Sequence, residues 1–240
     1  MSIPADIYLA TLVIFVAGVM RGFSGFGSGM ILVPSLSLIY DPLAAIITVV
    51  LLEIIPIIQM FPKSIRNCHW RTVLPLSLGA VVIIPFASLL LLHADESVMR
   101  YSISILVILC VLVLASGWRY QGEATVSATT TTGIVSGLIG GATCMGGLPI
   151  VMYYLSTNLS VQVIRASIVV FLVITSIVAL VSYSSHDLIS MEIFMRCVWM
   201  TPVYILAIWF GGSLFGKVSE SLFRNLTLVI LASAGIALLL

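Results

Sequence analysis

The stretch that most constrains this chain is Gly18-Val19-Met20-Arg21-Gly22-Phe23-Ser24-Gly25-Phe26-Gly27-Ser28-Gly29-Met30-Ile31-Leu32-Val33-Pro34, too rich in glycine for a good helix yet flanked by apolar runs. It predicts a break in a membrane helix. The pattern returns at Gly133-Ile134-Val135-Ser136-Gly137-Leu138-Ile139-Gly140-Gly141-Ala142-Thr143-Cys144-Met145-Gly146-Gly147-Leu148-Pro149. Without a gap, Gly18, Gly22, Gly25, Met30 and Pro34 align with Gly133, Gly137, Gly140, Met145 and Pro149, and Ser28 faces Thr143. The chain is therefore read as a repeat.

Composition fixes the solvent. Of 240 residues, 61% are hydrophobic and 8% charged, with a mean hydropathy of +1.25, far from the roughly 25% charged content of soluble domains. The apolar runs are helix-length rather than alternating ten-residue strands, so an all-α polytopic membrane protein is expected and a barrel is not. A net charge of +1 argues against nucleic acid, which needs a concentrated basic footprint. Cys68, Cys110, Cys144 and Cys197 form no CxxC pair, and His69, His93 and His186 are scattered, so neither a zinc site nor a disulfide framework is signalled. No cofactor is expected. The N-terminus lacks a basic region before its first apolar segment and is read as a first span rather than a signal peptide.

Ten segments follow, five in each half. In the first repeat, residues 1–120, they run from about Ile7 to Met20, Gly29 to Tyr40, Leu43 to Phe61, Val73 to Leu92 and Val98 to Trp118. A polar link, 121–132, rich in threonine, leads to the second repeat, 133–240. Its segments end near Ile139, then run from about Met145 to Leu155, Val161 to Tyr183, Ile193 to Gly211 and Leu222 to Leu240. The first two segments of each half are short for a crossing of about 20 residues, so each pair is read as a Gly-broken helical hairpin. With hairpins the two repeats insert upside down relative to each other. One side then collects Lys63, Arg66, Arg71, Arg119, Arg165, Lys217 and Arg224, and the other has Arg100 and Arg196 among six acids. The positive-inside rule favours these inverted repeats over parallel ones, with both termini outside the cytoplasm.

Inverted halves with interrupted helices place backbone groups at the midplane, where a protein-lined cavity can satisfy them and lipid cannot. Around Gly27-Ser28-Gly29 and Thr143-Cys144-Met145-Gly146 new helices would begin, presenting first-turn N–H groups and positive dipole ends to an anion. Ser24, Ser28 and Thr143 would add hydroxyl donors. The competing reading makes the glycines packing surfaces, as Gly18/Gly22 and Gly133/Gly137 could be. Arg21, at the end of the first segment, either holds a substrate oxyanion or pairs with Glu53 or a carbonyl. Glu53, alone in its segment, pairs with Arg21 or carries a proton. Arg165 reaches an anion from the cytoplasmic side or snorkels to the interface. No Ser-His-Asp or HExxH spacing supports an enzyme.

Gly25-Phe26-Gly27-Ser28-Gly29 with Val33-Pro34, the counterpart Gly140-Gly141 through Leu148-Pro149, and Arg165-Ala166-Ser167 resemble the TauE/SafE family of sulfite and organosulfonate exporters. The resemblance implies a secondary transporter of a small sulfur-containing or carboxylate anion, such as sulfite, sulfoacetate or thiosulfate, in a bacterial inner membrane. The expected substrate contacts are Arg21, Ser24, Gly27, Ser28, Gly29, Thr143, Cys144, Met145, Gly146, Arg165 and Ser167. Ser28 interrupts the usual run of glycines, and Arg165 stands where the family commonly has lysine; both leave the substrate open. Export by alternating access is the expected mechanism, and a non-transporting membrane scaffold the alternative. The expected partners are the anion and the lipid bilayer, with a homodimer left open.

Overall fold

A computed structural model describes residues 5–116, 125–186, 188–215, 229 and 232–238. Among them the chain forms helices α1 (Ala5–Ser24), α2 (Ser28–Ser37), α3 (Pro42–Leu52), α4 (Ile54–Ser64), α5 (Trp70–Leu92), α6 (Glu96–Ser116), α7 (Val126–Thr143), α8 (Gly147–Tyr154), α9 (Val161–Ser184) and α10 (Met191–Leu214). Residues 232–238 are helical as well. Among the described residues five stretches are long and apolar enough to cross a membrane: Pro42–Ser64, Trp70–Leu90, Glu96–Val113, Val161–Ser184 and Met191–Leu214. The apolar helices Tyr8–Ser24 and Ser28–Ser37 are shorter. The segment expected at Leu222 to Leu240 lies mostly outside the described residues, as do Trp118, Arg119, Lys217 and Arg224.

Local chemistry sets the helix starts. Thr125, Ser160 and Ser190 cap α7, α9 and α10 in extended backbone, each accepting from the N–H three residues on. The segment from Leu43 to Phe61, read as one helix, is divided at Glu53. Pro56 explains it: proline cannot donate to the Leu52 carbonyl, and its ring crowds that carbonyl.

The second departure is larger. Of the stretch read as a polar link, the described part is helical from Val126 on, where α7 begins. Thr129, Thr130 and Thr132 donate to the carbonyls of Thr125, Val126 and Ala128 at 2.7, 2.9 and 2.8 Å. Their hydroxyls are thereby satisfied inside the helix that carries them, and the segment is compatible with an apolar setting.

The chain divides into two compact units, and each takes helices from both halves of the sequence. A repeat in sequence is thus distinct from a unit in space. The first unit covers 1–52, 94–116 and 190–240. In it α1 lies along α10, α2 packs on α1, α3 and α6, and α3 packs on α10. Ile14, Ala17, Leu32, Leu36, Val49 and Tyr204 form its core. The second unit covers 53–93 and 117–189. There α5 lies along α7 and α9, α4 packs on α9, and α8 packs on α7 and α9. Leu76, Ala80, Ile150, Tyr154, Val169 and Tyr183 form its core.

The principal helix pair of each unit is built on the same contact. On α1, a side chain at Gly18 would strike Tyr204 and Ala207, and one at Gly22 would strike the Ile208 carbonyl and the Gly212 nitrogen. On α7, one at Gly133 would strike the Leu76 carbonyl, and one at Gly137 would strike Ala80 and Ile83. Later residues meet later residues in both pairs, so α1 runs parallel to α10 and α7 to α5. Gly22 stands to Ile208 as Gly137 stands to Ala80. The packing reading of these glycines is the correct one, since absent side chains let the backbones touch.

Candidate functional site

Among the described residues each unit contains one interrupted helix pair. In the first, α1 ends at Ser24 and α2 starts at Ser28. Gly25 and Gly27 hold positive φ angles of 85° and 88°, a conformation that side-chain-bearing residues disfavour. A side chain at Gly27 would also meet the Met20 methyl at 2.5 Å. Ser24 stitches the interruption. Its Oγ lies 2.8 Å from the carbonyls of both Met20 and Phe26, with one proton to give, and accepts from the Phe26 N–H at 3.3 Å. The Ser24 hydroxyl thus holds the turn itself.

Gly27 is the N-cap of α2 and offers its first turn no side-chain acceptor; that turn has no acid either. Ser28, Gly29 and Met30 at its start are all buried. Pro34, inside α2, cannot donate to the Met30 carbonyl. Arg21 is buried, at 2% exposure, in the last turn of α1, the helix end that favours a cation.

In the second unit α7 ends at Thr143 and α8 starts at Gly147. Cys144 closes α7 in the left-handed conformation, φ 56°, with its N–H on the Gly140 carbonyl at 2.8 Å. Three side chains tie this interruption down. Thr143 donates to Ile139 within α7 at 2.7 Å, Ser136 donates to the Gly146 carbonyl, and Tyr183, from α9, donates to the Gly141 carbonyl at 2.7 Å. Gly141 is in the last turn of α7, where carbonyls lose their intrahelical donors. Gly146 packs so closely on Gly140 and Ser136 that a Cβ would strike the Ser136 carbonyl. It caps α8 without a side-chain acceptor, and α8 has no acid in its first turn. Met145 between them is buried.

The two interruptions are not at matching positions. In the gapless alignment Gly25 to Gly27 faces Gly140 to Ala142, which is still helix. The expected ends near Met20 and Ile139 both move about one turn later, to Ser24 and Thr143. One side chain accounts for the offset between the two interruptions. Ala142 stands where the first half has Gly27, and alanine resists the positive φ that Gly27 adopts.

Structure groups the sequence candidates by unit. Arg21, Ser24, Gly27, Ser28 and Gly29 belong to the first. Glu53, the N-cap of α4, belongs to the second, within electrostatic range of Cys144, which in turn interacts with Tyr183. Ser167 lies elsewhere in that unit: it accepts the His69 N–H at 2.9 Å and donates to Val163 at 2.8 Å. Tyr154 meets Thr72 at 3.0 Å, which fastens the end of α8 to α5, while Ser167 ties the turn before α5 to α9. Arg165 is half-buried on α9, two residues from Ser167 and so on nearly the opposite face.

Ser136, Tyr183, Tyr154 and Thr72 were not singled out from sequence. One signal was present for Ser136: it aligns with Arg21, although it lies about two turns before its interruption where Arg21 lies one.

The sequence matches the family model described as Sulfite exporter TauE/SafE over residues 10–238. The chain belongs to the TauE/SafE family. Neither the curated proteins nor the solved structures yield a match. As a TauE/SafE member the chain is a multi-pass membrane protein of a sulfite-exporter-type transport family, consistent with its apolar helices.

Proposed function

We propose that this TauE/SafE protein is a secondary transporter that exports a small sulfur-containing or carboxylate anion across a bacterial inner membrane by alternating access. Sulfite, a sulfonate such as sulfoacetate, and thiosulfate are the substrate candidates. The observation that carries the reading is the buried Arg21 one turn before an interruption whose next helix, α2, starts on a glycine cap with no acid in its first turn. A cation and a helix N-terminus both favour an oxyanion. In the second unit α8 starts on Gly146 in the same manner. The matched glycine contacts of α1 with α10 and α7 with α5 support the repeat, and the asymmetry of basic residues supports its inversion.

The substrate contacts proposed are Arg21, Ser28, Gly29, Cys144, Met145 and Gly146, with Arg165 at the cytoplasmic approach. Ser24, Thr143 and Ser167 belong to this set with an added structural duty, since each hydroxyl already bonds a backbone carbonyl. A negative cell interior favours anion exit by about 2.3 kcal/mol per charge per 100 mV, so export needs no coupling ion. Glu53, near Cys144, is either part of a structural pair or a proton carrier.

The deciding experiment measures efflux of labelled sulfite or sulfoacetate from proteoliposomes containing the parent, Arg21→Gln or Ser28→Ala. Reduced flux with raised KM is expected. Unchanged flux and affinity in both variants sinks the site, and no saturable flux in the parent sinks the transporter reading in favour of a scaffold. For Glu53, the Glu53→Gln variant is compared with the parent across a pH gradient; a parent indifferent to the gradient removes proton coupling.

A further inference from the structure

The turn joining α4 to α5 carries Lys63, Arg66 and Arg71, all exposed, with Trp70 40% exposed between them. Two membrane-crossing stretches end and begin here, at Ser64 and Trp70, so the turn lies at the membrane–water boundary. Among the described residues of this unit the acidic side chain is Glu53, ten residues from Lys63 or about 15 Å along the helix. Among the described residues no carboxylate is within ion-pair distance of the three cations. The first turn of α5 holds Arg71 and no acid, so a cation stands at the positive end of a helix dipole. The arrangement is self-repelling unless an anion from outside completes it.

The turn is also fixed in shape. Asn67 bonds Ser64 through its N–H at 3.0 Å and Lys63 through its amide at 2.9 Å. His69 is held by Ser167, and its carbonyl accepts from the N–H groups of Thr72 and Val73 at 3.0 and 3.1 Å. Thr72 in turn meets Tyr154. A preformed cationic turn binds an anion without the cost of ordering it.

Below the turn an apolar track follows. Trp70, Leu74, Leu78, Val82 and Phe86 are spaced four apart on α5 and all exposed, the last four at 53%, 66%, 66% and 61%. A free inorganic anion makes no use of such a ridge, whereas a lipid has a chain to lay along it.

We propose that the Lys63–Arg71 turn is a docking site for an anionic phospholipid, its headgroup phosphate held by Lys63, Arg66 and Arg71 and its acyl chain along the Trp70–Phe86 ridge. The proposal stands apart from the transport reading.

The test follows the thermal unfolding midpoint of the purified full chain in detergent. It is titrated with phosphatidylglycerol, with phosphatidylcholine and, in a third arm, with inorganic phosphate. Phosphatidylglycerol is expected to raise the midpoint more than phosphatidylcholine, and phosphate to have no effect. In Lys63→Gln/Arg66→Gln/Arg71→Gln the half-saturating phosphatidylglycerol concentration is expected to rise roughly fivefold per cation, while the charge-conserving Lys63→Arg/Arg66→Lys/Arg71→Lys retains the preference. Should the neutral triple variant not fold, each single Gln variant is read by the same fivefold shift. An unchanged phosphatidylglycerol preference in the neutral variants, or an equal shift with phosphate alone, overturns the proposal.

Discussion

The phenolic hydroxyl of Tyr183 on α9 donates to the carbonyl of Gly141 in the last turn of α7, at 2.7 Å. It supplies from another helix the donor that the end of α7 lacks. Tyr183→Phe removes the proton and little else. Destabilisation of about 0.6 to 1.7 kcal/mol is expected, the range of interhelical hydrogen bonds in membranes, read as a lowered unfolding midpoint in detergent. Ser136→Ala should act alike on the Gly146 side, and the double variant should be close to additive if the two bonds are independent.

Neighbouring glycines on α10 and α1 should respond oppositely to one methyl group. At Gly22 the methyl meets the Ile208 carbonyl, whereas at Gly212 the nearest atom lies 3.8 Å away. Gly22→Ala is expected to cost about 1 to 3 kcal/mol through overpacking. Gly212→Ala is expected to be neutral or to stabilise by up to about 1 kcal/mol, through helix propensity. Thermal unfolding of both variants side by side checks the pair.

The offset between the two interruptions can be tested at its source. Gly27→Ala must hold a positive φ with a side chain, costing about 1 to 2 kcal/mol, and must displace the Met20 methyl. Gly27→Asn should cost less for the backbone, since asparagine tolerates that conformation better. Ala142→Gly, in a position that stays helical, should cost no more than about 1 kcal/mol. If alanine at position 27 proves harmless, the explanation of the offset fails.

The Arg196 guanidinium lies 3.8 Å from the centre of the Tyr40 ring and 2.9 Å from Glu192. The ring joins the turn after α2 to α10. Tyr40→Phe should preserve the contact, and Tyr40→Leu should lose about 0.5 to 1 kcal/mol. The difference should survive high salt better than the effect of Glu192→Gln, because an exposed ion pair is screened.

Sequence by itself determined the solvent, the helical class, the two places where helices are interrupted and the family resemblance. These follow from local properties: apolar run length, glycine density and the absence of alternation. The interruption at Gly25 to Gly27 was legible because glycine's backbone freedom is a property of the residue itself; at the second, the left-handed residue is Cys144, and the helix runs about a turn beyond the expected end near Ile139. What the sequence left open needed neighbours. Gly18 and Gly22 look like members of the same glycine-rich motif as Gly27, and only α10 lying against them makes them packing residues. Thr129, Thr130 and Thr132 look like a linker, and only their bonds to the preceding turn show a helix. Tyr183 and Ser136 carry no local signal of their tasks, because the carbonyls they serve lie 42 and 10 residues away in the chain. Tertiary structure alone decided how helices from the two halves are shared between the compact units, since a packing partner is chosen by complementary surfaces rather than by order along the chain.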